Sequence, residues 1–400
     1  MESNKKIDSI FIKGLEYILC FFVILDCNTV YANTYNYQSN IKIVSIVIVS
    51  ILIILLMCRL NVSKEMIKKC VILFFGLILY FGIFFVFNLP KEKVFSFASR
   101  FFVFFPLMIV CFLFYIKANN LYRLYYRISD IVTILAVISV VFWILCSVLN
   151  IVQLNNSLYI DWGTYHSING FYNLYYETQV IDFWGYYGYR NTGIFTEAPM
   201  FSLCLSIAIL TEVFLKDKIN IKKIIILTIG IITTFSTSGY ILLILSIVGK
   251  LFENKNLRNK ILKVIKVFII IAIGISAILL CIYLFKDKMT TDSYLVRSEK
   301  YISEFNIWKD NILMGNGYGN NENGSSNSVS VILADGGIWL FVIYLISIIK
   351  FVFNKKKMNL MFFGIGFLWL IIVTVFPYSM MLLMFLALGY AMITFENDSI

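Results

Sequence analysis

Two arginines and one glutamate stand out at or inside runs that are otherwise apolar or aromatic, and a third arginine opens a polar stretch. In YYGYRNTGIFTEAPMFSLCLS, residues 186–206, Arg190 precedes Glu197, and Pro199 follows where an apolar helix should begin. Proline is at home in a first helical turn, where its missing N–H is no loss. Arg297 stands in a second polar stretch, DSYLVRSEKYISEFNIWKDNILMGNGYGNN, and Arg100 sits in FSFASRFFVFF. Ionisable groups at or inside membrane-length apolar runs are costly and serve as functional-site hypotheses by default. A guanidinium stays charged and grips phosphate through two parallel donors. A carboxylate drawn out of water holds its proton more tightly, which suits it to proton transfer. The set is therefore a candidate functional site, with an anion contact as the functional reading of Arg100. Blander roles compete: Arg190 as an interfacial anchor or bridged to Glu197, and Arg100 snorkelling toward headgroups.

Composition dictates where these residues sit. The chain is 60% hydrophobic and only 14% charged, with four prolines in 400 residues, against roughly a quarter charged for soluble domains. Apolar runs recur at about 8–26, 41–58, 70–88, 94–116, 128–151, 197–215, 223–236, 239–252, 267–285, 330–349, 359–376 and 378–395. Most are long enough to cross a ~30 Å hydrocarbon core as helices. The expected fold is an all-α polytopic membrane protein with about twelve crossings, one integral domain over 1–400.

The net charge of +11 invites a nucleic-acid reading, but its distribution argues against one. With the N-terminus inside, 23 of the 34 Lys and Arg residues fall in inside segments and nine outside, Lys13 and Arg100 lying within spans. That is the bias expected of a multi-pass chain with both termini cytoplasmic. Lys5 and Lys6 before the first run resemble a signal peptide, but no small-residue cleavage site follows, so a retained span is expected. There is no CxxC and His166 is the one histidine, so neither a zinc site nor a disulfide framework is expected.

Two long segments, 152–196 and 286–329, then lie outside, and loops of that length in a compact protein usually carry function. The first is dense in aromatics, with Tyr159, Trp162, Tyr165, Tyr172, Tyr175, Tyr176, Trp184, Tyr186, Tyr187 and Tyr189 interleaved with Asn, Asp161, Glu177 and Asp182. Interface belts account for some of these rings. Rings under sugar C–H faces, with amides and carboxylates on hydroxyls, are the functional alternative. In the second loop Tyr301, Phe305, Trp308 and Ile312 make one stripe of an amphipathic helix, expected along the membrane surface. Gly315, Gly317 and Gly319 end it in a GxGxG turn. Such a turn can offer an N–H nest to an anion or can simply stop the helix. It follows no strand, so it is not a dinucleotide fingerprint.

The runs 223–236 and 239–252 are short, and the turn between them, Thr233 to Tyr240, is rich in hydroxyls, Ser238 among them. Fourteen residues rise only about 21 Å, so this turn should sit below the outer surface. Non-helical backbone at depth lines a wet cavity or is buried in protein. A cavity lining is the expectation here, with hydroxyls bonded back to helix carbonyls as the alternative.

In this order the pieces resemble the O-antigen polymerase and ligase superfamily (Wzy-type) over residues 180–345. The matching features are Arg190, Gly193, Phe195, Glu197 and Pro199 in an Arg–x–x–Gly–x–Phe–x–Glu–x–Pro pattern, and the Thr234–Gly239 turn between short helices. Arg297 with Trp308, Gly315 and Gly317 follows, then Asn327-Ser328 opening a span with Gly336-Gly337 at its middle. The resemblance implies transfer of glycan from polyprenyl diphosphate onto another lipid-linked repeat unit, at the outer face of a bacterial cytoplasmic membrane, for capsule, O-antigen or exopolysaccharide. It implies Arg190 and Arg297 on the leaving diphosphate and Glu197 as base, with Asp335 the runner-up. Arg100, Tyr189, Ser238, Trp308, Gly317 and Asn327 become candidate substrate contacts. Partners would be the lipid-linked oligosaccharide, the bilayer, a chain-length regulator and a flippase, with no nucleic acid; no cofactor or metal is called for. Ligases of the superfamily carry His where this chain has Ser326, which favours a polymerase and leaves ligase-type transfer open. A lipid-linked oligosaccharide flippase is the competing class, although transporters usually show internal repeats and none is evident.

Overall fold

A computed structural model describes residues 9–60, 64–88, 93–160, 166–183, 186–253, 292–319, 325–354 and 357–396. The chain is mostly helical. In order come α1 (Ile10–Leu25), α2 (Gln38–Arg59), α3 (Lys64–Asn88), α4 (Val94–Lys117) and α5 (Arg123–Val148). Five short strands follow, then α6 (Ala198–Leu215), α7 (Ile221–Thr233), α8 (Thr237–Glu253), α9 (Asp292–Asp310), α10 (Ser328–Val352), α11 (Met358–Val373) and α12 (Met380–Glu396). Six of these, α2 to α6 and α10, are long and apolar enough to cross a membrane, and α8, α11 and α12 are shorter apolar helices. Each expected apolar run coincides with a helix except that at about 267–285, which lies outside the described residues.

The expectation of a purely α-helical chain is corrected by the strands. The chain around 156–177 forms β1 (Asn156–Ile160), β2 (His166–Phe171) and β3 (Tyr175–Glu177), an antiparallel sheet with Leu158 opposite Ile168 and Gly170 opposite Tyr176. β4 (Val180–Phe183) and β5 (Tyr186–Tyr189) pair as a separate hairpin. β-branched and aromatic residues, among them Ile160, Ile168, Tyr175 and Val180, favour extended pairing here. The β2–β3 turn closes with Leu174 N–H on the Phe171 carbonyl, and both Tyr172 and Asn173 have positive φ. That is the mirror-image geometry favoured by tight hairpins.

The helices group into two compact units. One comprises Met1–Ile131, Lys300–Phe351 and Val375–Ile400, the other Val132–Glu299 and Val352–Thr374. In the first, stacked and edge-on rings of Phe81, Phe84, Phe97, Phe101 and Phe105 make an aromatic core. Buried Glu16 of α1 is ion-paired with Arg123 at 2.6 Å and accepts from Arg127 Nε at 3.1 Å and the Tyr115 hydroxyl at 2.8 Å. A buried carboxylate with that many donors is compensated.

Helix α10 is broken at Gly337, whose φ of 56° and ψ of −156° no side-chain-bearing residue adopts readily. Ile338 and Trp339 donate instead to the carbonyls of Ile312 and Leu313 at 2.9 and 3.0 Å. A Cβ on Gly337 would lie 2.5 Å from the Leu313 backbone. Asn316 N–H in turn donates to the Ala334 carbonyl at 2.8 Å, so the GxGxG turn and the residues before it are part of the span's own hydrogen bonding.

In the second unit α6 is 94% buried, as a helix apolar on every face requires. Its Glu212 carboxylate receives Lys216 Nζ at 2.5 Å.

Candidate functional site

The second unit assembles the residues with the sharpest chemistry. Glu197 has extended backbone and precedes Ala198, so it stands just outside α6 as its N-cap residue. Its side chain does not cap the helix. The N–H of Ala198 donates instead to Gln179 Oε1 at 3.1 Å, leaving the Glu197 carboxylate without a hydrogen bond or an ion pair among the described residues. The residue is only 8% exposed. Burial pushes its pKa up to about 7, against the opposing pull of Arg297 first and Arg190 second. A carboxyl poised near neutrality, with no partner to hold its charge, is suited to take and give a proton.

Arg190 follows β5 and reaches the turn between α7 and α8. Its Nε donates to the Thr234 carbonyl at 2.8 Å and Nη2 to the Phe235 carbonyl at 3.1 Å. Burial draws its pKa down to about 10, while Glu197 and Tyr240 pull it upward. Arg190 is therefore a fastener as well as a charge, and the Arg190–Glu197 bridge weighed as the blander alternative is not among the ion pairs of the described residues. Next to it, Asn191 donates through its backbone to the Thr233 carbonyl at 3.0 Å and through Nδ2 to Thr233 Oγ1 at 2.9 Å. The loop before Glu197 is thereby pinned to the hydroxyl-rich turn.

That turn is less wet than expected. Thr233 and Thr234 hydroxyls bond back to the carbonyls of Gly230 and Ile231 at 2.8 and 2.6 Å, and Ser238 shares a hydrogen bond with Ser236 at 2.9 Å. The cavity-lining expectation gives way to the alternative at both threonines. Gly239 is required where α8 meets α6, since a Cβ there would sit 2.3 Å from Ser202 Oγ.

Arg297 is exposed on α9 and is the cation acting most strongly on Glu197. Tyr189 accepts a hydrogen bond from Trp143 Nε1 on its carbonyl at 2.8 Å, and its hydroxyl pKa is raised by burial and by Glu177. The aromatic segment divides. Tyr175 and Tyr176 are buried, Tyr175 packing with Phe171 and Cys146, whereas Tyr159, Tyr172 and Tyr187 are exposed. Glu177 is spoken for by Ser147 Oγ at 2.7 Å and Asn169 Nδ2 at 2.9 Å. Trp162, Tyr165 and Trp184 lie outside the described residues.

The remaining candidates belong to the first unit. Gly317 offers no open nest: its N–H donates to the Asp335 carbonyl at 2.9 Å, and Gly319 N–H to Asp335 Oδ2 at 2.7 Å. Asp335 also accepts from the Tyr378 hydroxyl at 2.7 Å, so it is more committed than Glu197. Asn327 caps α10, its Oδ1 accepting from Ser330 N–H at 2.9 Å. Ser326 and Ser330 both donate to Glu304. Trp308 packs edge-on against Phe305 at 5.6 Å, while Tyr301, Phe305 and Ile312 of the same stripe are 46–50% exposed. Arg100 does not snorkel. It is 5% exposed, on a π-helical stretch of α4, and pairs with Asp26 Oδ1 at 3.7 Å.

Sequence reasoning missed Gln179, Asp26, Lys42 and Glu304. For Lys42 the signal was there, an ionisable residue opening an apolar run. Gln179 had none. No protein-family model matches the chain, and neither a curated protein nor a solved structure matches it.

Proposed function

We propose that this chain is a polysaccharide polymerase. In this reading it has about twelve spans in the cytoplasmic membrane of a bacterium, both termini are cytoplasmic, and 152–196 and 286–329 face outward. It transfers glycan from polyprenyl diphosphate to a sugar hydroxyl of another lipid-linked repeat unit. The observation that carries the reading is the Glu197 carboxyl, buried, without a hydrogen bond or ion pair among the described residues, and raised to about 7 by burial against the pull of Arg297 and Arg190.

In the step this implies, Glu197 removes the acceptor hydroxyl proton as the new C–O bond forms at the donor's anomeric carbon. The bond from that carbon to the diphosphate breaks, and polyprenyl diphosphate departs with the electron pair. Arg297, exposed on α9, answers that charge. Arg190 contributes field while holding the turn. Preorganised cations in a site with little water stabilise such a transition state by several kcal/mol. The glutamic acid then returns its proton to water.

The test is the length of the glycan displayed by cells carrying Glu197→Gln or Arg297→Ala at matched protein levels. Single repeat units outside the membrane, with the ladder gone, are expected. Repeat units trapped inside would make the protein a flippase. An unchanged ladder would remove Glu197 and Arg297 from the chemistry.

A further inference from the structure

Two cations share one carboxylate in the first unit. Lys42 is 2% exposed, Arg100 5% and Asp26 6%. Asp26 Oδ1 is 3.7 Å from Arg100 Nη2, beyond hydrogen-bond length. Asp26 Oδ2 is occupied by the Met380 N–H at 2.8 Å. Lys42 Nζ donates to Ser96 Oγ at 3.2 Å, and Arg100 Nη1 donates to the same Ser96 Oγ and to the Tyr318 hydroxyl at 3.2 Å. Both cations thus lean on a neutral hydroxyl that balances no charge.

The unspent donors of Arg100 face one way. Nε has no hydrogen-bond partner, and neither has Asp26 Oδ1. Nε and Nη2 are adjacent donors along one edge of the guanidinium, the edge that chelates a single oxyanion. Asp335 does not fill the gap, since its side chain accepts from Tyr378 and Gly319. Lys93, near the start of the same helix, is bonded to the Gly319 carbonyl. The cluster of Lys42, Arg100 and Asp26 carries one excess positive charge, which in a buried site calls for an anion. Ser96 is half-buried and gives the approach. The π-helical turn at Ala98–Phe104 is a distortion that recurs at functional sites.

We infer that Arg100, Lys42 and Ser96 form a binding site for the phosphate of a lipid, either a phospholipid headgroup or a prenyl diphosphate. The site is assayed by binding alone and does not depend on glycosyl transfer.

The experiment uses the full chain in dodecyl maltoside micelles, which carry no phosphate. It is titrated with geranylgeranyl diphosphate or with phosphatidylglycerol, and bound lipid is read by native mass spectrometry. Saturable binding is expected, weakened at least tenfold by Lys42→Met and by Arg100→Gln. Asp26→Asn, which removes the competing carboxylate, is expected to bind as tightly as wild type or more tightly. Binding confined to the diphosphate identifies a prenyl carrier, and binding confined to phosphatidylglycerol a headgroup. If Arg100→Gln fails to fold, Lys42→Met and Asp26→Asn carry the test. No binding of either probe, equal binding by Lys42→Met, or loss of binding in Asp26→Asn would each overturn the inference. If neither probe binds while Glu197→Gln still collapses the glycan ladder, the transfer reading stands and this site alone falls.

Discussion

Replacing Glu197 by Gln should make the protein more stable and less active, with the gain in stability depending on pH. The carboxyl sits at about 7 instead of 4.5, raised by burial. The folded state thus holds this proton more tightly than the unfolded chain does. Stability from this group is whole below the unfolded pKa and is lost as pH rises through about 7. At about 1.4 kcal/mol per pH unit between the two values, the loss reaches about 3 kcal/mol by about pH 8.5. Glutamine keeps the shape and has no charge to desolvate, so the variant escapes that loss. Arg190, drawn down to about 10, is still charged throughout this range. Thermal unfolding of both proteins from about pH 3.5 to about pH 8.5 should show curves that meet at the acid end, below the unfolded pKa. They should separate by a few degrees at the basic end, the variant being higher. Glycan transfer by wild type should climb through neutrality as the base ionises, and the variant should stay inactive throughout. Parallel unfolding curves would refute the burial argument. An active variant would refute the assignment of the base.

Other consequences are equally direct. Arg190→Ala removes two charge-assisted bonds to the 234–235 carbonyls and should cost about 3 kcal/mol, measured as a lowered unfolding temperature; Arg190→Lys, lacking the planar fork, should recover less than half. Gly337→Ala places a Cβ 2.5 Å from the Leu313 backbone at a φ of 56° and should reduce the folded yield severely, read by size-exclusion chromatography. Gln179→Ala leaves the Ala198 N–H without its acceptor and should cost about 1 kcal/mol, again by thermal unfolding.

The helices were legible because apolar runs of membrane length are the strongest periodic signal a chain can carry. Runs such as 94–116 and 330–349 match α4 and α10 within a few residues. The break at Gly337 inside α10 was not legible, since it depends on carbonyls at 312 and 313 that only the fold brings near. The β-sheet was hidden in a segment whose aromatics read equally as an interface belt, and register needs a partner strand to be seen. At the site, Glu197 was found from charge at the mouth of an apolar run, and Arg297 from its place one turn before an amphipathic stripe. Their surroundings were not: the helix cap comes from Gln179, and Arg190 turned out to brace a turn. The Lys42–Arg100–Asp26 cluster joins three distant segments, and no local pattern links them.

The widened turn at Ala98–Phe104 also has a bearing on aim. A π-turn accommodates one residue more than an α-turn, and each residue advances a helix by about 100°. Ser96 and the residues from Phe105 onward therefore keep different rotational phases along one rod. Arg100 can be turned toward Asp26 without rotating the rings that anchor the rest of α4. Deleting one residue within 101–104 would restore the ordinary phase. That deletion would leave the span long enough and apolar enough, yet swing the guanidinium off its neighbours or the phenylalanines out of theirs. Length at this turn encodes direction.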